Sequence, residues 1–327
     1  MTKTNWARTI SHFACVLVFM CGVAAAHGQT AEKFPTKEIT VLVSFGAGGQ
    51  RDTLARGVAN IMSKHLGVPM VVVNAPGGGG IRGAVQLYNS APDGYTIGMG
   101  NQTEILMQLV DKVEYDMKKF IHIGYAQSSP GFFFVKSDSA IKSLADLKTF
   151  GKPIRHAVFS PTAPLNVALI SLSKQEKFPM AVVGGFTATP AMILSLLRGE
   201  VELAGSSMPG ATQFVKNAQI RPILTVSPTR APEFPDVPTV GEIGYPSLAY
   251  LGLEYWFMAP PGTSPDRVKI LDDALLKTVK DPEFIAWAKN AGVDPLALNS
   301  ADSTKRVMGL ISTLEGLKED VEKFLKK

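Results

Sequence analysis

Cysteine is nearly absent from this sequence: Cys15 and Cys21 are its two cysteines, and both lie close to the N-terminus. The rest of the chain therefore has no disulfide, no thiol nucleophile and no thiolate metal ligand. Its histidines show no metal-ligand spacing, and we predict neither a metal site nor a cofactor. Charge is also sparse, at 19% charged residues and a net charge of +5. Because no concentrated basic face appears, we expect no nucleic-acid partner.

Long hydrophobic runs are also missing, apart from one near the N-terminus. Lys3 and Arg8 precede the apolar run Phe13–Val23, which is shorter than the ~20 residues that span a bilayer as a helix. Small residues follow and allow cleavage after Ala26 or after Gly28. We therefore predict a signal peptide over residues 1–28, loss of both cysteines, and a periplasmic protein. An uncleaved membrane anchor is the alternative.

The remaining sequence alternates short apolar runs with helical patterns, which is typical of an α/β fold. The first unit contains predicted strands at Ile39–Phe45, Met70–Val73 and Tyr95–Met99, with helices at Arg51–His65 and Ile81–Asn89. The second contains strands at Phe132–Val135, Ile154–Phe159, Met180–Val183, Val201–Ala204 and Pro222–Val226, with helices at Leu165–Lys174 and Pro190–Leu197. This alternation predicts parallel sheets with crossover helices.

A proline-rich segment over residues 228–246 is expected to be an extended loop that returns the chain to the first unit. A strand over Leu253–Met258, helices after Ser264 and Asp281, and a helix over Thr304–Leu325 follow. The pattern predicts two lobes. Residues 29–129 and 250–327 form lobe 1, and residues 130–249 form lobe 2.

Two glycine-rich loops follow the first two predicted strands. Glycines let backbone N–H groups approach a ligand, and the helix start behind each loop carries a partial positive charge. Because such loops lie at the carboxyl edge of a parallel sheet, we predict an anion site there, with tight turns as the alternative. The candidate ligand-binding residues are Phe45, Gly46, Ala47, Gly48, Gly49 and Gln50 in the first loop, and Asn74, Gly77, Gly78 and Gly79 in the second.

Polar residues near these loops and at other strand ends complete the candidate site. Arg51 either forks onto a carboxylate or is solvated, and Asp52 is interpreted as a cap or loop anchor. The remaining candidates are Asn101 and Thr103 after the third strand, and Ser160, Thr162, Thr187 and Ser206 in the second unit. Neither a P-loop nor a Gly-x-Ser-x-Gly elbow is present, and we expect no catalytic residues.

An ordered set of segments resembles a known family. The segments are Phe34–Ile39, Phe45 to Arg56 with Gly48-Gly49 and Asp52, Val71–Gly80, Ala91–Thr96, Arg230 to Pro246, and Ala259–Thr263. The set resembles the Bug-type periplasmic receptors of tripartite tricarboxylate transporters over nearly the whole mature chain.

The resemblance implies a type II periplasmic binding protein whose two α/β lobes close on a small organic carboxylate. It implies a monomer that holds the carboxylate mainly by backbone N–H groups and passes it to membrane transporter subunits. A ligand-sensing partner of a membrane sensor kinase is an alternative, and a secreted enzyme is a further one. Several segments depart from the usual family pattern, notably Ser44–Gly49, Arg51, Ser160–Thr162 and Val183–Phe186. Because these segments are predicted to line the cleft, an unusual ligand is expected.

Overall fold

The computed structural model describes residues 33–160, 162–186 and 188–325. The predicted signal peptide and Thr187 lie outside these residues. From Pro35 onward the chain forms one compact unit that contains two β-sheets. No helix among the described residues is long and apolar enough to cross a membrane.

The first sheet has six strands in the order β11-β4-β10-β3-β1-β2. Its strands are β1 (Ile39–Val43), β2 (Met70–Asn74), β3 (Thr96–Gly100), β4 (Ile121–Ser129), β10 (Leu253–Ala259) and β11 (Pro295–Leu298). Strand β1 pairs in parallel with β2 and β3, as the sequence predicts. Strand β10 lies antiparallel between β3 and β4, which makes the sheet mixed rather than wholly parallel.

The second sheet has five strands in the order β7-β6-β8-β5-β9. They are β5 (Gly131–Lys136), β6 (Ile154–Ala157), β7 (Met180–Val183), β8 (Leu203–Ser206) and β9 (Ile220–Val226). Strand β6 is parallel to β7 and β8, whereas β5 is antiparallel to β8 and β9. The chain thus enters the second sheet directly from β4 and returns through the segment before β10.

The helices pack with the two sheets, and most of them begin at a capping side chain or at a proline. They are α1 (Gln50–Leu66), α2 (Ile81–Tyr88), α3 (Gln102–Val110), α4 (Leu144–Thr149), α5 (Pro164–Glu176), α6 (Thr189–Leu197), α7 (Thr212–Lys216), α8 (Pro265–Lys280), α9 (Pro282–Ala291) and α10 (Ser300–Leu325). Asp281 caps α9 by accepting a hydrogen bond from the Glu283 N–H, and Pro282 occupies its first position. Short 3₁₀ turns occur at Gly78–Gly80 and Pro246–Leu251.

Strands β4 and β11 and helices α3 and α7 were not predicted from the sequence, and for α4 the sequence shows only the capping-box-like start Ser143–Asp146. Helix α3 nonetheless carries a recognisable start, because Asn101 and Glu104 form a capping box before Ile105 and Leu106.

The hydrophobic core is continuous between the two sheets. Buried Leu310 and Leu314 of α10 belong to the same apolar cluster as Leu169 and Leu172 of α5. The C-terminal helix therefore packs against elements of both sheets.

Candidate functional site

A cavity of about 290 Å³ lies where strand ends of both sheets meet. Its lining from the first-sheet side and the connecting chain is Gln50, Asn101, Gly252, Leu253 and Tyr255. The second-sheet side contributes Gly131, Phe159, Pro164, Leu165, Thr189, Gly205, Ser206 and Ser207. Helices α1, α5 and α6 begin at this cavity, and α3 begins just after Asn101. The ends of strands are where open α/β folds bind their ligands.

Four other cavities among the described residues are larger than this one. Those of about 400 and 320 Å³ are lined by residues such as Arg221 and Phe234, and Arg306 and Thr313, respectively. The other two, of about 340 and 470 Å³, are lined mainly by helix and loop residues. The first has Asp52, Arg56 and Glu283 in its lining, and the second has Lys289 and Asp294. None of the four has helix starts from both sheets in its lining. We therefore take the cavity of about 290 Å³ as the candidate site, and call it the cleft cavity.

The cleft cavity includes three of the residues that the sequence singled out. Gln50, Asn101 and Ser206 line it, each at a strand end or helix start. The other described members of the two glycine loops, together with Thr103, Ser160 and Thr162, lie outside its lining. Whether those residues reach a ligand when the lobes close stays a prediction.

Arg51 is buried, so the solvated alternative for this residue is wrong. Its guanidinium pairs with the Glu104 carboxylate through two contacts, one of them Nη2 to Oε2 at 3.4 Å. The same guanidinium lies 4.3 Å from the Phe45 ring centroid and 5.6 Å from that of Tyr255. The carboxylate that Arg51 binds is therefore one of the protein's own, and this ion pair joins the starts of α1 and α3.

Glu104 also fixes the polar edge of the cleft cavity. Its Oε2 accepts a hydrogen bond from the Asn101 N–H at 3.0 Å, while the Asn101 Oδ1 accepts one from the Thr103 N–H at 2.7 Å. Burial raises the pKa of the neighbouring Tyr255 hydroxyl, although Arg51 and Asn101 act in the opposite direction. Tyr255 is therefore a neutral hydrogen-bonding group at neutral pH.

Asp52 and Asn74 hold the two glycine loops together. Asp52 Oδ2 accepts a hydrogen bond from the Gly48 N–H at 2.9 Å, and Asn74 Nδ2 donates to both Asp52 Oδ1 and the Phe45 carbonyl at 2.9 Å. Arg56 donates to Asp52 and to Asn74. The loop-anchor interpretation of Asp52 agrees with these contacts, and the Asn74 side chain is engaged by the protein itself.

The second loop needs glycine at four successive positions. Gly77, Gly78, Gly79 and Gly80 all have positive φ, between 57° and 138°. A Cβ on Gly80 would also lie 3.0 Å from the Phe45 ring. Any other residue at these positions would therefore strain the backbone of the loop.

We expect Asp52→Asn to destabilise the protein at pH 7 and much less in acid. Hydrogen bonds from Arg56, and then from the Gly48 N–H and Asn74, lower the pKa of Asp52 from 3.8 to about 2. A carboxyl whose folded-state pKa is depressed stabilises the fold above its unfolded pKa, and this stabilisation disappears between about pH 4 and pH 2. Urea unfolding should show a loss of roughly 1–2 kcal/mol at pH 7 that shrinks steadily below pH 4. A loss that is constant from pH 7 to pH 3 would contradict the assigned role.

Several cavity residues were missed by sequence reasoning because their position depends on tertiary contacts. Phe159 follows β6 and is 45% exposed at the cavity, which is unusual for a large aromatic side chain. A Cβ on Gly131 would lie 2.3 Å from Leu165 Cδ2, so glycine at 131 makes room for Leu165. Thr189 also lines the cavity, where its Oγ1 lies 2.9 Å from the Ser206 Oγ in a hydrogen bond. Only Thr189, at a helix start, carried a local sequence signal.

The fold is that of a known class of binding protein. A TctC solute-binding protein from Polaromonas, solved without ligand, has a TM-score of 0.76 at 20% identity, covering 87% of this chain and 99% of that one. MatC from Rhodopseudomonas palustris with bound malate has a TM-score of 0.69 at 24% identity, covering 87% and 100%. Another R. palustris protein, solved with adipate, has a TM-score of 0.71 at 22% identity, covering 88% and 98%. The chain has the two-lobed α/β fold of type II periplasmic binding proteins.

Sequence comparison identifies the family. Residues 54–313 match the family model described as tripartite tricarboxylate transporter family receptor, TctC. A UPF0065 protein in the gbd 5′ region of Cupriavidus necator is 28% identical over 310 residues, covering 90% of this chain and 92% of that protein. Protein BugT of Bordetella pertussis is 26% identical over 304 residues, covering 89% and 91%. The chain belongs to the tripartite tricarboxylate transporter receptor family, and it is a substrate-binding receptor rather than an enzyme.

Proposed function

We propose that this protein is a periplasmic receptor that captures a small organic carboxylate and delivers it to a tripartite tricarboxylate-type transporter. The observation that carries the proposal is the cleft cavity, which is lined by strand ends and helix starts from both sheets. Ligands solved with two structural neighbours, malate and adipate, are carboxylates, which supports this ligand class. In this proposal the predicted signal peptide, cleaved after Ala26 or Gly28, directs export of the receptor to the periplasm.

The way in which the two sheets are connected supports capture of the ligand by lobe closure. The chain crosses between them at residues 129–131 and again before β10. We assign residues 29–129 and 250–327 to lobe 1 and residues 130–249 to lobe 2. Rotation at two crossings is the hinge motion of binding proteins. Closure would bring Ser206 and Thr189 toward Gln50 and Asn101 across the ligand.

The first test is a thermal-shift screen of the purified protein against mono-, di- and tricarboxylates. A carboxylate present at 100 times its Kd should stabilise the fold by about 2.7 kcal/mol, because it binds the folded state alone. Neutral amides of the same acids serve as matched controls and should give no shift. Absence of stabilisation by every acid in a broad panel would contradict the proposed function. Native mass spectrometry of freshly purified protein would show any retained ligand directly.

Delivery to a transporter is tested separately from binding. Deletion of the gene should abolish high-affinity uptake of the bound acid. If uptake persists while transcription of target genes no longer responds to the acid, the receptor serves a membrane sensor kinase instead.

A further inference from the structure

The described residues that line the cleft cavity are all uncharged. Arg51 lies next to Tyr255, but its guanidinium already pairs with Glu104. The cavity therefore offers hydrogen bonds to a carboxylate, but no free countercharge. Burying an ionised carboxylate with neither hydrogen-bond donors nor a countercharge beside it is strongly unfavourable. Each carboxylate of a ligand thus needs its own set of N–H or O–H donors.

The two sides of the cavity differ in the composition of their helix starts, although the Thr103 N–H of α3 already donates to Asn101 Oδ1. Helices α1 and α3 begin after Gly49 and Asn101, and neither has proline in its first turn. On the second-sheet side, Pro164 is the first residue of α5 and Pro190 the second of α6. Proline has no backbone N–H, so each of these helix starts lacks one donor.

The hydroxyl groups of Thr189 and Ser206 on the second-sheet side are hydrogen-bonded within the protein. Ser206 Oγ donates to the Ser207 carbonyl at 2.9 Å. The hydrogen bond between Thr189 Oγ1 and Ser206 Oγ, also 2.9 Å, must therefore use the Thr189 proton. Both hydroxyl protons are engaged within the protein, so a ligand carboxylate would have to displace one of these hydrogen bonds to receive a proton from the pair.

An apolar wall occupies the same side of the cavity. Phe159, Pro164 and Leu165 form it, and Phe159 is 45% exposed. Leu165 reaches the cavity because Gly131 beneath it has no side chain. Covering this wall with an apolar group is favourable because it removes apolar surface from water. The cavity volume, about 290 Å³, lies at the small end of the range for ligand sites.

We propose that the ligand is a small monocarboxylate with an apolar body. Its carboxylate faces Gln50 and Asn101 on the first-sheet side, and its aliphatic or aromatic body lies against Phe159 and Leu165. This inference rests on the proposed function and narrows it to acids with one charged end. It sets this chain apart from the two structural neighbours, whose named ligands are dicarboxylates.

Calorimetric titration of the purified, ligand-free protein with matched pairs of acids tests the inference. Hexanoate and adipate share a six-carbon chain, and benzoate and terephthalate share a ring, so each pair differs by one carboxylate. We expect one monocarboxylate at least to bind tenfold or more tightly than its paired dicarboxylate. Tighter binding of the dicarboxylate in both pairs would overturn the inference and leave the proposed function standing. If no carboxylate in these pairs or in the wider panel binds, both fail.

Variants of the apolar wall give an independent measurement. Phe159→Ala should weaken binding of the preferred monocarboxylate tenfold or more, because the apolar body loses its main contact. Leu194→Ala is the matched control, since Leu194 is also 45% exposed, lies on α6, and does not line the cavity. Phe159→Lys should shift the preference toward adipate by supplying a countercharge. Unchanged affinity and preference in both Phe159 variants would overturn the placement of the apolar body.

Discussion

Glu104→Gln is expected to destabilise the protein by about 3–5 kcal/mol, because it leaves the Arg51 guanidinium buried without a countercharge. Arg51 and Glu104 side chains are 4% and 0% exposed, so water cannot replace the lost partner. Glutamine keeps the volume and an acceptor for the Asn101 N–H, which isolates the loss of charge. Ligand affinity should fall as well, because Glu104 positions Asn101 and Arg51 at the edge of the cleft cavity.

Urea unfolding at pH 7 measures the effect on stability, and a double variant gives its cause. Arg51→Met combined with Glu104→Gln removes both charges, keeps an acceptor for the Asn101 N–H, and should recover much of the loss because no unpaired charge is left buried. Lys118→Met is the matched control at the exposed Lys118–Glu315 pair and should leave stability nearly unchanged. A double variant as unstable as Glu104→Gln would show that the unpaired charge is not the cause.

Gly252→Ala is expected to destabilise the protein by about 1–3 kcal/mol and to impair ligand binding. A Cβ on Gly252 would lie 2.8 Å from both the Ser129 and the Val226 carbonyl oxygens. These atoms belong to the backbone at the ends of β4 and β9, so no side-chain rotation can relieve the contact. The clash falls where the chain crosses between the sheets, and the crossing strands must separate to accommodate it.

The segment around Gly252 is also held in place by the Gln102 side chain. Gln102 Nε2 donates to the carbonyls of Tyr250 and Gly252 at 2.9 and 3.0 Å, which ties the crossing segment to the start of α3. Gly316→Ala is the matched control, because Gly316 lies inside α10 with no atom within 4 Å of an added Cβ. That variant should be stabilised by up to about 1 kcal/mol from helix propensity. Equal behaviour of the two variants in unfolding and titration would contradict a special role for Gly252.

Local patterns were enough to predict most of the fold. Helical spacing in Leu54, Val58, Ile61 and Met62 placed α1, and Gly67 in the left-handed conformation ends it. The apolar runs and the turn residues between them placed nine of the strands within a few residues. The antiparallel position of β10 was not predictable, because it depends on pairing with strands more than a hundred residues earlier.

The candidate site was predictable only at its polar edge. Gln50, Asn101 and Ser206 follow strands, and that local position indicated a ligand edge before the structure was known. Phe159 and Leu165 gave no such indication, because an apolar residue near a strand end usually packs into the core. Arg51 was ambiguous for a related reason: its partner, Glu104, lies 53 residues away in sequence.

Strand β10 has a consequence for the order in which the protein folds. It lies between β3 and β4 at the centre of the first sheet, yet it is formed by residues 253–259. The first sheet is therefore incomplete until most of the chain has been synthesised, and pairing over such long sequence separations is slow. Until this late segment docks, β3 and β4 lack the strand that joins them, so the two halves of the first sheet come together only at the end of folding.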